Sequence, residues 1–366
     1  MATIVYGVSG EGAGHSSRAR EMITHLQAQG HRVRVASYAR GYQNLHHDFE
    51  TLEIAGLSIV SQDNRISPFK TIAQNVAALP QSKASLERLK EEFFPRTHRP
   101  DCVITDFEPM TAYLASHYDL PLITLDNQHR MRYMDYSCPT RYRKDALIAE
   151  AVIRCMVPQP DISLITTFYF GRLKNDRSFL FPPILRRAVL ELAPRPGEHI
   201  LVYVTAGFET LLDALKTFPR ECFWVYGYDR EDCDGPLHFR PFSRDGFLQA
   251  LASARGVIAT AGFTLMTEAF YLGKPYLALP MRGQFEQVLN GLLLDKLGYG
   301  ASATRLRRDT IPAFLYRLPD YAERLRHYDR RGNQAICAKL DDLLADDGRL
   351  ARASRRKSAH SAKGYL

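Results

Sequence analysis

Short apolar runs and amphipathic helices alternate along this chain twice, once on each side of a proline-rich stretch. In the first half, residues 3–8 form a strand-like run ending in glycines. Residues 16–29 follow as a helix in which Ala19, Met22, Ile23 and Leu26 recur at i, i+3, i+4 and i+7, stopped by Gly30. Further strands are expected at 33–37, 101–105, 121–125 and 162–166, with a helix over 109–118. Residues 175–198 carry Pro182, Pro183, Pro194, Pro196 and Gly197 and show no periodicity. The pattern then restarts, with strands at 199–205, 222–226, 256–259 and 275–279 and helices at 244–252, 263–272 and 284–297. Such alternation builds parallel sheets covered by helices on both faces. The expected fold is therefore α/β, two Rossmann-like, doubly wound parallel-sheet domains facing a cleft. In open sheets of this kind, ligands bind beyond the carboxyl ends of the strands.

The expected organisation is a first domain over 1–180, a linker over 181–198 and a second domain over 199–318. Final helices over 319–348 would cross back to the first domain, ahead of a basic tail at 349–366. At 366 residues the chain is long enough for two cores. Apolar residues make up 45% and charged residues 24%, as in a soluble globular protein. No apolar run reaches membrane-span length and the N-terminus has no signal-peptide pattern, so a cytoplasmic protein is expected. The six cysteines are scattered without a CxxC pair, which indicates neither a disulfide framework nor a zinc site. The net charge of +8 favours anionic partners, and part of it lies in the tail. That tail reads either as a frayed, solvated terminus or as a weak contact with anionic lipid at the inner face of a membrane.

Three constellations can carry chemistry. The first is the loop from Gly7 through Gly10, Glu11, Gly12 and Gly14 to His15, between a strand and a helix N-terminus. Glycines let a ligand approach the backbone, and the helix end offers free N–H groups. The loop is neither a Walker A motif nor a clean GxGxxG. His15 at its mouth is a candidate general base, or only a cap of the helix. The second is Asp106 within Thr105-Asp106-Phe107-Glu108-Pro109, at the end of a strand. Asp106 can orient His15 and stabilise its protonated form. Alternatively, Asp106 or Glu108 caps the following helix.

The third constellation runs from Ala259 through Gly262, Phe263, Thr264 and Glu268 to Gly273 and Pro275, then on to Glu286, Gln287 and Asn290. Thr264, Thr267, Glu268 and Tyr271 share one helix face. The helix start at 262–264 can receive a diphosphate, and Glu268 can accept from two ribose hydroxyls. Glu286, Gln287 and Asn290 suit sugar hydroxyls. Asp232-Cys233-Asp234 spells DxD, but it falls in a polar turn and reads as a solvated loop rather than a metal site.

These segments resemble the GT-B glycosyltransferases. The likeness is strongest to the group around the enzyme that adds N-acetylglucosamine to the lipid-linked peptidoglycan precursor. It extends to a related branch with a GEGxGHxxRA start, a DFEP segment and a GGFTLxxEAxxxGKP…EQxxN end. The resemblance spans the chain to about Gly300. It implies a hexosyltransferase that uses a nucleotide-diphosphate sugar (UDP- or dTDP-linked) as co-substrate, with no other cofactor and no metal, and inverts the anomeric carbon. Phe242 and Ser243 match the base-binding turn. Gly262, Phe263 and Thr264 match the diphosphate turn, Glu268 the ribose carboxylate, and Glu286 with Gln287 the pair that reads the donor sugar. Gly14 belongs to the glycine loop, and His15 matches a histidine proposed as base or phosphate partner. Two departures are Ala261 where the family often has glycine, and Glu286 in place of a glutamine, which leaves the donor sugar open.

The acceptor is expected to be a hydroxyl compound bound by the first domain, lipid-linked or acidic. Residues 128–136 and 141–144 there are rich in Arg and Tyr, which would suit such a ligand or equally form an exposed basic helix. A nucleotide-sugar epimerase of the same fold is the alternative. A nucleic-acid-binding protein would need a basic stripe with interleaved aromatics, and none is found outside the tail.

Overall fold

The computed structural model describes residues 1–56, 61–62, 65–66, 79–204 and 207–345. The expected basic tail at 349–366 lies outside the described residues, as does Thr205 at the end of the expected 199–205 strand.

The chain divides into two compact units, with the boundary between Arg186 and Arg187. In the first unit, a seven-stranded parallel sheet runs from Thr51–Glu53 through Arg32–Ser37, Thr3–Val8, Cys102–Asp106, Leu122–Asp126 and Ile162–Thr166 to Ser178–Phe181. Five of these strands are those expected from the apolar runs. Thr51–Glu53 and Ser178–Phe181 are short edge strands, and the second lies inside the aperiodic stretch at 175–198. Only one of its four residues is fully buried, so it carries little apolar signal.

The strand order reverses beside Thr3–Val8. One crossover leads outward to Arg32–Ser37, the other to Cys102–Asp106 on the opposite side. Loops leaving two adjacent strands in opposite directions open a crevice at their carboxyl ends. Val8 is in register with Asp106 across this pair, so the glycine loop and the Asp106 turn emerge side by side.

In the second unit, the sheet runs Cys233–Asp234, Leu237–Phe239, Cys222–Tyr226, His199–Tyr203, Gly256–Thr260, Tyr276–Leu279, Gly300–Ser302. All pairs are parallel except the short antiparallel pairing of Cys233–Asp234 with Leu237–Phe239. The same reversal occurs here between His199–Tyr203 and Gly256–Thr260. Each sheet's central strands are buried on both faces, which explains their continuous apolar composition.

The two helices Thr310–Tyr316 and Leu318–Leu325 stay with the second unit, where Ile311, Phe314, Leu318 and Tyr321 join its core. From Arg331 the chain belongs to the first unit. The helix at 334–345 puts Ile336, Leu340, Leu343 and Leu344 among Met22, Ile23 and Leu26 of the helix Ala13–Ala28. Asp341 Oδ1 lies 2.8 Å from His25 Nε2 on the same face. Leu340 is fully buried. Leu340→Ala should therefore cost about 2–5 kcal/mol in the unfolding of the first unit, read by denaturant titration, because it removes apolar contact and leaves a cavity. An unchanged midpoint would contradict this packing.

Candidate active site

In the first unit the site is built from the carboxyl ends of three strands. Thr3–Val8 leads into the glycine loop, whose Gly10 has no room for a side chain: a Cβ there would sit 2.1 Å from the Tyr38 carbonyl oxygen. Gly12, the residue before the helix Ala13–Ala28, has φ 77°, the left-handed region glycine tolerates. These constraints fix where the first helical turn begins. Gly14 and His15 lie in that turn, and Arg18 stands one turn later on the same face, at i+3 from His15.

His15 is 9% exposed and Asp106 fully buried. His15 Nδ1 lies 2.7 Å from Asp106 Oδ1. Asp106 therefore orients the imidazole, and it does not cap the next helix. That task falls to Glu108, which accepts from the Met110 and Thr111 backbone N–H groups and from the Thr111 hydroxyl. Burial raises the Glu108 carboxyl above its usual range, against the lowering effect of those hydrogen bonds. With both oxygens engaged, Glu108 is no candidate base. Phe107, between the two acids, takes φ 57°, a backbone strain that lets Asp106 and Glu108 point to different tasks.

Arg18, absent from the expected site, is central to it. Its Nε donates to Asp106 Oδ2 at 2.6 Å and its Nη2 to Oδ1 at 2.5 Å. Its Nη1 donates to Asn127 Oδ1 at 2.7 Å, just past the strand Leu122–Asp126. Next to Asn127 lies a second buried histidine–carboxylate pair, His129 Nδ1 at 2.7 Å from Asp126 Oδ2. Burial alone would raise the Asp126 carboxyl, but the charge and hydrogen bonds of His129 outweigh it and hold it below the ordinary value. The signal that could have found Arg18 is the His-x-x-Arg spacing, which puts both side chains on one helix face. The Arg-rich run 128–136 resolves differently from an exposed basic helix: Gln128, His129 and Arg130 are buried. The helix Arg143–Met156 after it is the exposed one, with only Ile153 buried and Leu147, Ile148 and Val152 open to solvent.

In the second unit, Gly262 precedes the helix Phe263–Tyr271, whose start has no side-chain cap. Its first-turn N–H groups are the kind that receive phosphate oxygens. Phe263 is buried and Thr264 half-buried beside them. Glu268, one turn in, is only 2% exposed, as is Thr267 at 1%, so the polar face expected to be open is largely covered. Glu268 stands close enough to Tyr276 of the neighbouring strand for its charge to raise that phenol, after burial itself.

Asn290 needs correction. It was expected to face sugar hydroxyls, but it is fully buried and donates from Nδ2 to the Ala261 carbonyl at 2.8 Å. Its amide holds the turn before the helix rather than presenting itself outward. Gln287 is half-buried and braces the loop ahead of its own helix, with Oε1 accepting from Met281 N at 3.0 Å and Nε2 donating to Gln284 at 2.5 Å. Glu286 is half-buried in the first turn of Phe285–Leu297. Phe242 is 56% exposed, beside the rings of Tyr203 and Phe247. Ser243 caps the helix Arg244–Ser253, its hydroxyl accepting from Gly246 N at 3.2 Å.

The DxD acids are engaged elsewhere. Asp232 pairs with Arg230, and Asp234 lies 2.8 Å from Lys216. Among the described residues no group of three His, Cys, Asp or Glu side chains is placed to hold a metal, and no helix is long and apolar enough to cross a membrane.

The sequence profile described as glycosyl transferase family 1 matches residues 2–319. No curated protein matches the chain. Solved structures similar to it include the glycotransferase of kitacinnamycin, with TM-score 0.68 and 18% identity over 93% of this chain and 98% of that one. MurG of Acinetobacter baumannii gives TM-score 0.61 and 15% identity, over 93% of this chain and 100% of that one. SsfS6 of Streptomyces sp. SF2575, complexed with thymidine diphosphate, gives 0.57 and 15%, over 93% and 96%. At such identities these likenesses speak for the fold, which is GT-B. With the profile spanning most of its length, the chain belongs to glycosyl transferase family 1 and is a glycosyltransferase.

Proposed function

We propose that the chain moves a sugar from a UDP- or dTDP-linked donor to a hydroxyl acceptor, with inversion and without a metal ion. The observation that carries this reading is the His15–Asp106 pair at 2.7 Å, at the carboxyl edge of a parallel sheet. Among the described residues the hydrogen bonds of the His15 ring are made through Nδ1, to Asp106 and Arg18, and leave Nε2 for the acceptor. Such a nitrogen takes the acceptor's proton as the new C–O bond forms and the bond to the diphosphate breaks. The imidazolium is then stabilised through Nδ1 by Asp106.

The donor belongs to the second unit. The uncapped start of Phe263–Tyr271 neutralises the leaving diphosphate, in the place a metal would take in another fold. Glu268 accepts from the ribose, the exposed Phe242 ring packs by the base, and Glu286 and Gln287 read the sugar. A diphosphate nucleotide fits this arrangement, and the structurally similar SsfS6 is complexed with thymidine diphosphate. No further cofactor is required, the nucleotide sugar being a co-substrate. The acceptor belongs to the first unit. An apolar or lipid-linked acceptor is supported by Leu147, Ile148 and Val152, exposed near Arg141, Arg143 and Lys144.

His15→Ala should slow turnover about 10²–10⁴-fold, the usual loss for a general base, while nucleoside-diphosphate affinity by calorimetry stays within twofold. Full turnover by the folded variant would remove the base assignment. Glu268→Ala should weaken UDP or dTDP binding by about 1–3 kcal/mol, the range for hydrogen bonds to a charged group. Equal affinity would take Glu268 out of the donor site. Turnover should also persist in excess EDTA. Activity lost to the chelator and restored by magnesium or manganese would contradict the metal-free reading and return attention to Asp232 and Asp234.

A further inference from the structure

A histidine that serves as base needs its proton on the nitrogen facing the carboxylate and its lone pair on the other. In a simple His–Asp pair the free charge of the carboxylate secures this. Here that charge is already occupied. Arg18 grips both oxygens of Asp106, Nε on Oδ2 at 2.6 Å and Nη2 on Oδ1 at 2.5 Å. The same Nη2 lies 2.8 Å from His15 Nδ1. Three polar atoms thus meet at one point, and two proton arrangements compete. His15 Nδ1–H can donate to Asp106, or its lone pair can accept from Arg18, which would leave Nε2 carrying the proton and unable to act as base.

The distances favour the first arrangement. A lone-pair nitrogen 2.7 Å from an anionic oxygen would be repelled, whereas 2.7 Å is the ordinary length of a charge-assisted N–H···O⁻ bond. Arg18 Nη2 also has its acceptor in Oδ1, and Nη1 has another in Asn127 Oδ1 at 2.7 Å. The guanidinium is 6% exposed, and Asp106 and Asn127 are 0% and 1% exposed, so none of the three is free to swing away. A lysine could supply the charge but not the fork, which here reaches the ends of two neighbouring strands at once.

We propose that Arg18 is a positioning residue of the transfer reaction. Its two-point grip fixes the orientation of Asp106, with Oδ1 aimed at Nδ1, and thereby holds His15 in the tautomer with the proton on Nδ1 and the lone pair on Nε2. This rests on the reading of His15 as the base. Without the fork of Arg18 the carboxyl is no longer held with Oδ1 against Nδ1, and the Nδ1–H tautomer loses its acceptor. The histidine then presents Nε2–H, a donor where a base is required.

The test uses the full chain in five forms: wild type, Arg18→Lys, Arg18→Met, His15→Ala and the double variant of Arg18→Lys with His15→Ala, with His15→Ala identifying the ring signals. Nitrogen-15 NMR of the histidine rings reads the tautomer directly, without a substrate. Wild type should show His15 protonated on Nδ1, and Arg18→Lys should shift it toward the Nε2–H form, with Arg18→Met shifting it further. A wild-type ring protonated on Nε2, or a tautomer unchanged in Arg18→Lys, overturns the proposal. Should the Arg18 variants not fold, Asn127→Ala, which removes only the third anchor, should move the same signal partway; no movement there overturns it as well. The kinetic arm follows nucleoside diphosphate released from a UDP- or dTDP-sugar with water as acceptor. Arg18→Lys should lose at least about tenfold in kcat with KM for the donor within twofold, and should lose nothing further when added to His15→Ala. Equal losses in both backgrounds would mean Arg18 acts independently of His15, which refutes the proposal. Full turnover by His15→Ala alone would instead refute the base reading on which it rests.

Discussion

Parallel strands in one sheet end at one edge, and that constraint arranges both halves of this protein. Val8 and Asp106 are register partners, so whatever follows the first strand of the first unit emerges beside whatever ends the fourth. His15 and Asp106 are 91 positions apart in sequence, and their contact needs no long-range design beyond this register. In the second unit the same rule places the turn at Gly262 at the carboxyl end of Gly256–Thr260, next to the strand His199–Tyr203. Each reversal of strand order thus brings loops to a carboxyl edge, the place where open α/β sheets bind their ligands.

The first edge is unusual in carrying a fully paired ion cluster. Burying Arg18 and Asp106 costs desolvation that a well-packed apolar pair would avoid, so stability alone does not explain their presence. What the cluster supplies is rigidity: four side chains from a helix and two strand ends are tied by hydrogen bonds of 2.5–2.8 Å. The second edge relies on backbone instead. Its helix start is uncapped, and the Asn290 amide holds the preceding carbonyl of Ala261 in place. A preorganised donor set of this kind stabilises a leaving anion without rearrangement.

Much of this was legible from the chain alone. The central strands are buried on both faces and read as unbroken apolar runs; glycines at 30 and 273 end helices as their positions suggest. The edge strands Thr51–Glu53 and Ser178–Phe181 were not legible, because short, half-exposed strands carry almost no periodicity. At the site, Asp106 stood out because it ends a strand, and His15 because it follows a glycine loop between a strand and a helix N-terminus. Arg18 did not, since an arginine in a helix ordinarily reads as a solvated charge and its burial depends on a partner far along the chain. Asn290 misled for the converse reason. A polar residue near a ligand-binding motif resembles a ligand contact, yet a buried backbone carbonyl also needs a donor, and here the carbonyl took it.

The central claim is a division of labour, with donor binding in the second unit and the base in the first. Hydrogen exchange of the backbone amides, followed by mass spectrometry with and without saturating UDP or dTDP, tests it most directly. The account predicts that exchange slows at residues 241–246 and 261–268, which hold the turn proposed to bind the base and the start of the helix Phe263–Tyr271. Protection confined to the glycine loop of the first unit, with 261–268 unchanged, would contradict it.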